Sequence, residues 1–251
     1  MDHATLIYIL LAGAAFLAGC MNAVAGGGTF VTFPTLMFAG IPSVVANASN
    51  SVALFPASFA SAWAYRKDFQ RFENVSMKAL AVVSALGGAV GAALLIYTPE
   101  QTFDQLVPWL LLIATMIFAF GPRAAPTLRK FIRISPNGLL AIQFCIGIYG
   151  GYFGGAMGIV SLAFFTLFGM TNLHAMNAMK SLLVGLINLI AVILFISAGK
   201  IAWPQTIVML IFAVLGGYFG ARVARGIEQK YLRMGIIAIS VTVTVVFFIR
   251  N

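Results

Sequence analysis

The 251-residue chain is 61% hydrophobic and only 8% charged, and its mean hydropathy is +1.01. A soluble globular domain carries about 25% charged residues, so this composition does not cover a water-facing surface and indicates a polytopic α-helical membrane protein. The net charge of +9 does not indicate nucleic-acid binding. Twelve of the fifteen Lys and Arg residues lie in or beside three short segments, 65–74, 122–137 and 223–231, which is the loop bias of a membrane protein.

Apolar runs predict the membrane helices, in chain order. A crossing needs about 20 apolar residues, and eight runs are long enough or nearly so. They lie at 4–25, 43–64, 75–97, 105–121, 138–154, 174–198, 204–222 and 232–249. Two shorter runs, 29–40 and 159–169, each follow a glycine-rich break. A straight helix of about twelve residues reaches only about 18 Å, so we interpret these two runs as half-helices or re-entrant segments.

The chain contains an internal repeat. A shift of 130 residues places Gly28 on Gly158 and the segment 47–51 on 177–181. A shift of 129 places the segment 86–92 on 215–221. We therefore predict a first membrane repeat at 1–121 and a second at 138–251, joined by a basic cytoplasmic linker at 122–137. Each repeat has about four long helices and one short, broken helix.

Loop charge predicts how the repeats lie in the membrane. The three base-rich segments should face the cytoplasm, while 98–104 carries Glu100 and Asp104 and no base and should face out. The run 43–64 then crosses from outside to inside, and its counterpart 174–198 crosses from inside to outside. The repeats should therefore be inverted, an architecture of secondary transporters that bind near the midplane between repeats.

The glycine-rich breaks are the first candidates for a binding site. The run Gly26, Gly27 and Gly28 interrupts a helix, and the helix that begins at Thr29 would direct its N-terminal amides toward an anion. The second break precedes Gly158. Close packing of a kinked helix is the structural alternative, since glycine alone does not separate the two.

Polar residues flank both breaks at helical spacing. Asn47, Asn50, Ser51 and Ser58 share one face of the first repeat, and Asn177, Lys180, Ser181 and Asn188 share one face of the second. Carboxamide side chains also form hydrogen bonds between neighbouring membrane helices, so a purely structural role is the alternative interpretation of the asparagines.

Lys180 carries the strongest signal. It lies seven or eight residues into its run, where a charge costs about 2.5–3.5 kcal/mol, and every Asp and Glu of the chain lies at a terminus or in a predicted loop. The ammonium then needs backbone carbonyls, water or an anionic ligand, or the lysine is neutral, because burial disfavours the charged form. We favour the ligand.

The remaining residues indicate no enzyme. There is no nucleophile–histidine–carboxylate arrangement, no phosphate-binding loop and no metal-ligand cluster, so we predict no catalytic residues, no metal and no cofactor. The lack of intramembrane carboxylates argues against an Asp/Glu proton relay. His174 is the one internal histidine; it could carry a proton, although a histidine at a helix end is more often structural.

The repeat motifs resemble a known family. Residues 22–28, Pro34 and 46–51 resemble the first repeat of the sulfite exporter TauE/SafE family, and 150–158 with 177–181 resemble the second. The resemblance covers essentially the whole chain. It implies a multi-pass permease of the cell inner membrane that exports sulfite or small organosulfonates such as sulfoacetate. The second repeat has Ala156, Met157 and Gly158 where the first has three glycines.

These observations together predict a secondary transporter, in the direction of export, for a small sulfur-containing anion. The predicted substrate-binding residues are Gly26, Gly27, Gly28, Asn47, Asn50, Ser51, Gly158, Asn177, Lys180 and Ser181. A passive anion channel and a transporter of a non-sulfur organic anion stay open. A membrane enzyme or assembly subunit is disfavoured, because the loops are too short for a domain. The expected partners are the anion and the bilayer; the coupling ion stays open, and a homodimer is compatible with the sequence.

Overall fold

The computed structural model describes residues 2–24, 26–70, 75–129, 135–223 and 229–250. Within these ranges the chain forms ten α-helices and no strand. The helices are α1 His3–Val24, α2 Thr29–Phe38, α3 Ser43–Ala64, α4 Met77–Tyr97, α5 Glu100–Arg129, α6 Pro136–Tyr152, α7 Met157–Leu167, α8 Leu173–Ser197, α9 Trp203–Val223 and α10 Gln229–Arg250. Each half contains four long helices and one short helix, α2 or α7, which confirms the predicted all-α fold class.

Five helices are long and apolar enough to cross a membrane. Their spans are Ala4–Ala23, Met77–Tyr97, Glu100–Gly121, His174–Ser197 and Trp203–Gly220. The helix α3 has 22 residues, but its asparagines and serines lower its hydropathy. The helix α6 has only 17 residues, because the second break ends it at Tyr152. The protein is therefore an integral membrane protein with several crossings.

Helix packing pairs each half with the other. The helix α1 packs mainly on α9, and its counterpart α6 packs mainly on α4, while α3 and α8 contact each other at the centre. Each of these contacts has a counterpart when α1–α5 are exchanged for α6–α10. The inverted orientation of the two repeats across a membrane stays a prediction.

Glycines allow the paired helices to approach closely. A methyl group would overlap the facing backbone at Gly216 (against Phe16), Gly220 (Cys20), Gly87 (Phe144) and Gly91 (Ile148). Membrane helices gain little from hydrophobic burial against each other, so small residues at the contact increase van der Waals packing instead. In each helix pair, the contact with the higher residue number on one helix also has the higher residue number on the other helix. The helix α1 therefore runs parallel to α9, and α4 runs parallel to α6.

Contacts between α3 and α8 define two ends of the bundle. The Ala202 amide donates to Ser49 Oγ at 2.9 Å, and the rings of Tyr65 and His174 lie 6.1 Å apart. The two helices are therefore antiparallel. We call the end at which α3 finishes the basic end, because the described bases Arg66, Lys67, Lys78 and Arg123 lie toward it.

The acidic residues Glu100 and Asp104 belong to the opposite end. Glu100 Oε2 accepts hydrogen bonds from Ser43 Oγ and the Val44 amide, both at 2.9 Å, and so ties the start of α3 to the start of α5. Most of the described bases thus lie toward one end and Glu100 and Asp104 toward the other, while Asp68 shares the basic end and Lys200 lies at the opposite end.

Two predicted loops are largely helical. Residues 100–104 form the start of α5, and residues 122–129 of the predicted linker are its last two turns. The apolar run ends at 121, but a helix can continue past the apolar stretch into the basic segment. Residues 71–74, 130–134 and 224–228, which contain parts of the three predicted basic loops, lie outside the described residues.

Charge separation between the ends predicts the topology. Both termini should be extracytoplasmic and the basic end cytoplasmic, because this arrangement places nearly all bases inside. Single cysteines at the exposed positions Gln101 and Thr127, in a protein lacking its two native cysteines, would test this in intact cells. An impermeant thiol reagent should label Gln101→Cys and not Thr127→Cys; the opposite pattern would contradict the orientation.

The close helix contacts predict an opposite response at two glycines. Gly91→Ala should lower the free energy of unfolding by about 1–3 kcal/mol, because its methyl group would overlap the α6 backbone. Gly13→Ala meets nothing within 4 Å and should raise stability by up to about 1 kcal/mol, because alanine favours the helix. Thermal unfolding of the purified proteins would check both, and equal unfolding temperatures would show that this contact is not tight.

Candidate functional site

The first helix break lies between the end of α1 at Val24 and the start of α2 at Thr29. Gly26 and Gly27 have φ of 85° and 90°, a left-handed conformation that side chains disfavour. The Gly28 amide donates to Asn22 Oδ1 at 2.9 Å. A side chain from the last turn of α1 therefore satisfies one of the backbone groups that the break frees.

The second break lies between the end of α6 at Tyr152 and the start of α7 at Met157. Gly154 has φ of 73°, and Ala156, the cap of α7, has φ of 56°. A positive φ is uncommon for alanine, and such residues concentrate at functional sites. The Tyr149 hydroxyl donates to the Gly155 carbonyl at 2.6 Å. A tyrosine side chain thus hydrogen-bonds a freed backbone group of this break, whereas an asparagine side chain does so at the first break.

The two breaks meet, and a polar cavity lies between them. A Cβ at Gly26 would lie 3.4 Å from the Gly158 Cα atom. The cavity has a volume of about 50 Å³, enough for a few water molecules or one small ion. It is lined by Asn22, Gly26, Gly27, Thr29, Asn50, Ser51, Leu54, Ala57, Ser58, Ser61, Gly154, Met157, Gly158, Lys180, Ser181, Val184 and Asn188.

The central helices contribute equivalent positions to the lining. The residues from α8 are Lys180, Ser181, Val184 and Asn188, and a shift of 130 places each on a lining residue of α3: Asn50, Ser51, Leu54 and Ser58. Equivalent residues of the two sequence repeats therefore line the same cavity. The lining differs in charge at one of these positions, where α3 has an asparagine and α8 a lysine.

Lys180 is the one charged residue among the described lining residues. Its side chain is 4% exposed, and its ammonium donates to Asn177 Oδ1 at 2.9 Å. An ammonium has three donors, so two remain for a ligand. No described acidic residue lines the cavity, so the wall is positively charged and rich in hydrogen-bond donors.

Asn50 connects the first break to the cavity. Its Oδ1 accepts a hydrogen bond from Thr32 Oγ1, and its Nδ2 donates to Thr29 Oγ1 at 3.3 Å. Both threonines lie in the first turn of α2. Asn50 therefore positions the start of that helix as well as lining the cavity.

Seven of the ten predicted site residues line the cavity: Gly26, Gly27, Asn50, Ser51, Gly158, Lys180 and Ser181. The other three do not appear in the lining. Gly28 is held by Asn22, Asn177 accepts from Lys180, and Asn47 Nδ2 donates to the Tyr152 carbonyl at 2.9 Å. That any of the ten binds substrate stays a prediction.

The prediction did not include Asn22 as a site residue. It lies in the last turn of α1, six residues before the amide it accepts from. A polar residue one turn ahead of a glycine break is a usable signal, because a broken helix needs side-chain partners in the membrane. Ser58 and Asn188 share the polar faces noted in the sequence and also line the cavity.

The cavity extends toward the basic end. Its lining follows α3 from Asn50 to Ser61, three residues short of the end of that helix. Toward the opposite end, fully buried aromatic rings close the bundle. The Phe33 ring lies 6.4 Å from Phe103 and 5.9 Å from Phe153. The site is therefore nearer to solvent from the basic end.

A helical membrane bundle in which two glycine-rich helix breaks meet at a polar central cavity has an organisation found among membrane transporters. Residues 11–247 match the sulfite exporter TauE/SafE family, and the chain belongs to this family.

The chain is also similar to curated proteins along most of its length. It is 30% identical over 228 residues to the probable membrane transporter protein YfcA of Escherichia coli K12, covering 90% of this chain and 84% of the relative. It is 31% identical over 248 residues to a probable membrane transporter protein of Haemophilus influenzae, covering 97% and 95%. No solved structure matches the chain. The protein is therefore a membrane transporter.

The contact between the breaks predicts a sharp difference between two glycine substitutions. Gly26→Leu should abolish transport, because its side chain would fill the space beside Gly158. Gly40→Leu is the matched control: its φ of 82° imposes the same backbone strain as the 85° of Gly26, but nothing lies within 4 Å. Both variants should lose about 1–2 kcal/mol of stability from that strain. Substrate flux into proteoliposomes would separate them, and normal flux through a well-folded Gly26→Leu protein would place the site elsewhere.

Proposed function

We propose that this transporter exports a small oxyanion of sulfur, with sulfite favoured over sulfoacetate, by alternating access at the cavity between the two helix breaks. The observation that carries the proposal is Lys180. A buried ammonium without an acidic partner in the described cavity wall favours an anion as its counter-charge.

The donors of the cavity support an oxyanion. Beside the two free donors of Lys180, the hydroxyl group of Ser181 and the carboxamide of Asn188 lie in the wall. Charge-assisted hydrogen bonds to such oxygens are about twice as strong as neutral ones. The Gly158 amide, at the start of α7, has no hydrogen-bond partner among the described residues and adds the positive end of a helix.

The cavity volume supports a compact substrate. About 50 Å³ corresponds to roughly three or four water molecules, which suits a four-atom oxyanion. Sulfoacetate and other organosulfonates carry additional carbon and oxygen atoms, so they would need a larger cavity than this conformation has.

Export is the direction that membership of the sulfite exporter family favours. If the basic end is cytoplasmic, the cavity is reached from inside, while the cluster of Phe33, Phe103 and Phe153 separates it from outside. A passive anion channel is the second candidate, with the same donors in its wall. The buried aromatic cluster favours a transporter, because a channel needs a continuous path.

The proposal predicts the effect of replacing Lys180. Lys180→Met should weaken sulfite binding by about ten- to a hundredfold, since it removes one charge-assisted contact worth about 1.5–3 kcal/mol. Lys180→Arg should retain at most part of the binding, because a planar guanidinium differs in geometry from a compact ammonium. Binding would be measured on purified protein by the rise in unfolding temperature with sulfite, sulfate, sulfoacetate, taurine and carboxylates.

The control for this experiment is Lys78→Met, which removes an exposed lysine at the basic end and should leave affinity unchanged. If Lys180→Met binds sulfite within about twofold of the unmodified protein, Lys180 is structural and the anion assignment fails. Counterflow in proteoliposomes distinguishes the two mechanisms: a transporter shows it, whereas a channel does not.

A further inference from the structure

One equivalent asparagine has different partners in the two halves. In the second half, Asn177 Oδ1 accepts a hydrogen bond from the Lys180 ammonium at 2.9 Å, and both residues are buried. A shift of 130 places Asn177 on Asn47, which is 1% exposed. The Oδ1 atom of Asn47 has no hydrogen-bond partner among the described residues.

The orientation of the Asn47 carboxamide is fixed by its other end. Its Nδ2 donates to the Tyr152 carbonyl at 2.9 Å, and a reversed amide would bring two oxygens to that distance. The atom without a partner is therefore an oxygen. A buried acceptor left without a donor is destabilising, which makes a bound donor or cation the expected partner.

The first half does not supply that partner itself. The residue equivalent to Lys180 is Asn50, and both of its polar atoms are engaged by Thr29 and Thr32. In the second half the same kind of oxygen holds a group with a single positive charge. A carboxamide oxygen is an acceptor only, so a metal cation suits this position better than a transferable proton.

We propose that Asn47 Oδ1 is a ligand for a small monovalent metal cation such as Na⁺, which binds together with the transported anion. This inference rests on the proposed function. The cation takes, in the first half, the place that the Lys180 ammonium takes in the second.

The end of α6 favours a cation at the same place. Asn47 contacts the carbonyl of Tyr152, the last residue of that helix. The last carbonyls of a helix lack intrahelical donors and form its negative end. In transporters with broken helices, such ends and unwound carbonyls coordinate Na⁺, and carbonyl oxygens are ligands of hard cations.

The position also suits a charge balance with the anion. Ser51 Oγ donates to the Asn47 carbonyl at 3.1 Å, and Ser51 lines the cavity one turn along α3. The Asn47 side chain therefore lies within about one helical turn, about 5.4 Å along the axis, of the cavity wall. A divalent oxyanion beside one ammonium keeps one uncompensated charge in a low-dielectric site, and a monovalent cation would offset it.

The test compares Na⁺ with choline at constant ionic strength. In the unmodified protein, Na⁺ should raise the unfolding temperature and tighten sulfite binding by about five- to a hundredfold, the usual range of coupling between two bound ligands. Asn47→Leu should lose this Na⁺ response, and Asn47→Asp, which keeps an oxygen ligand, should retain it. No Na⁺ response in the unmodified protein, or a full response in Asn47→Leu, would overturn the inference.

Gln143→Met is the matched control. Gln143 is also a fully buried carboxamide, its Nε2 donates to Ser84 Oγ at 2.8 Å, and its Oε1 has no described partner, but it does not line the cavity. This variant should change stability and keep the Na⁺ response; its loss of the response would overturn the assignment to Asn47. If Asn47→Leu does not fold, Asn47→Asp decides: its negative charge at the ligand position should let Na⁺ act at lower concentration than in the unmodified protein, and an unchanged Na⁺ concentration dependence would overturn the assignment.

The two proposals fail in different ways. Sulfite binding that is saturable and identical in Na⁺ and choline overturns the cation site and leaves the anion transporter. A Na⁺ response that depends on Asn47, in a protein that binds no sulfite, supports the cation site and overturns the sulfite assignment.

Discussion

The structure depends on one constraint: inside hydrocarbon, backbone amides and carbonyls need partners from the protein itself. Two helices break here, and each break is closed by a nearby side chain, Asn22 on the Gly28 amide and Tyr149 on the Gly155 carbonyl. The breaks also face each other, with Gly26 beside Gly158. Unwound backbone is tolerated in the membrane only where it is buried in protein or lines a polar cavity. The need of the freed backbone groups for polar partners therefore explains both why the breaks meet and why a polar cavity lies between them.

Close packing between the halves holds the breaks in place. The helix α1 leads into the first break and packs on α9, while α6 leads into the second and packs on α4. Glycines at these contacts let the two helix backbones approach so closely that an added methyl group would overlap the facing backbone. Each break is therefore anchored to the opposite half of the chain, and the cavity lies at an interface that neither half forms alone.

Sequence reasoning located the helices and breaks because apolar run length and glycine clusters depend on local composition. It also found Lys180, because a charge in an apolar run is visible without coordinates. It did not show that Asn47 would contact Tyr152, since this contact depends on how helices from different halves are rotated. Asn177 and Lys180 lie three residues apart on α8, a spacing that permits their hydrogen bond, but the sequence does not show which rotamer the lysine adopts. The extension of α5 to Arg129 was missed because hydropathy marks the edge of the membrane and not the end of a helix.

The single lysine in a repeated lining has a physical consequence. Equivalent positions of α3 and α8 line the cavity, yet one carries Asn50 and the other Lys180, so the positive charge lies on one side of it. Two fixed ammonium groups would repel each other when the cavity is empty and would hold a divalent anion strongly when it is full. A transport site must bind well enough to load and weakly enough to release. In the proposed mechanism, one fixed charge with one exchangeable cation would meet both demands, because the second charge would arrive with the substrate and leave with it.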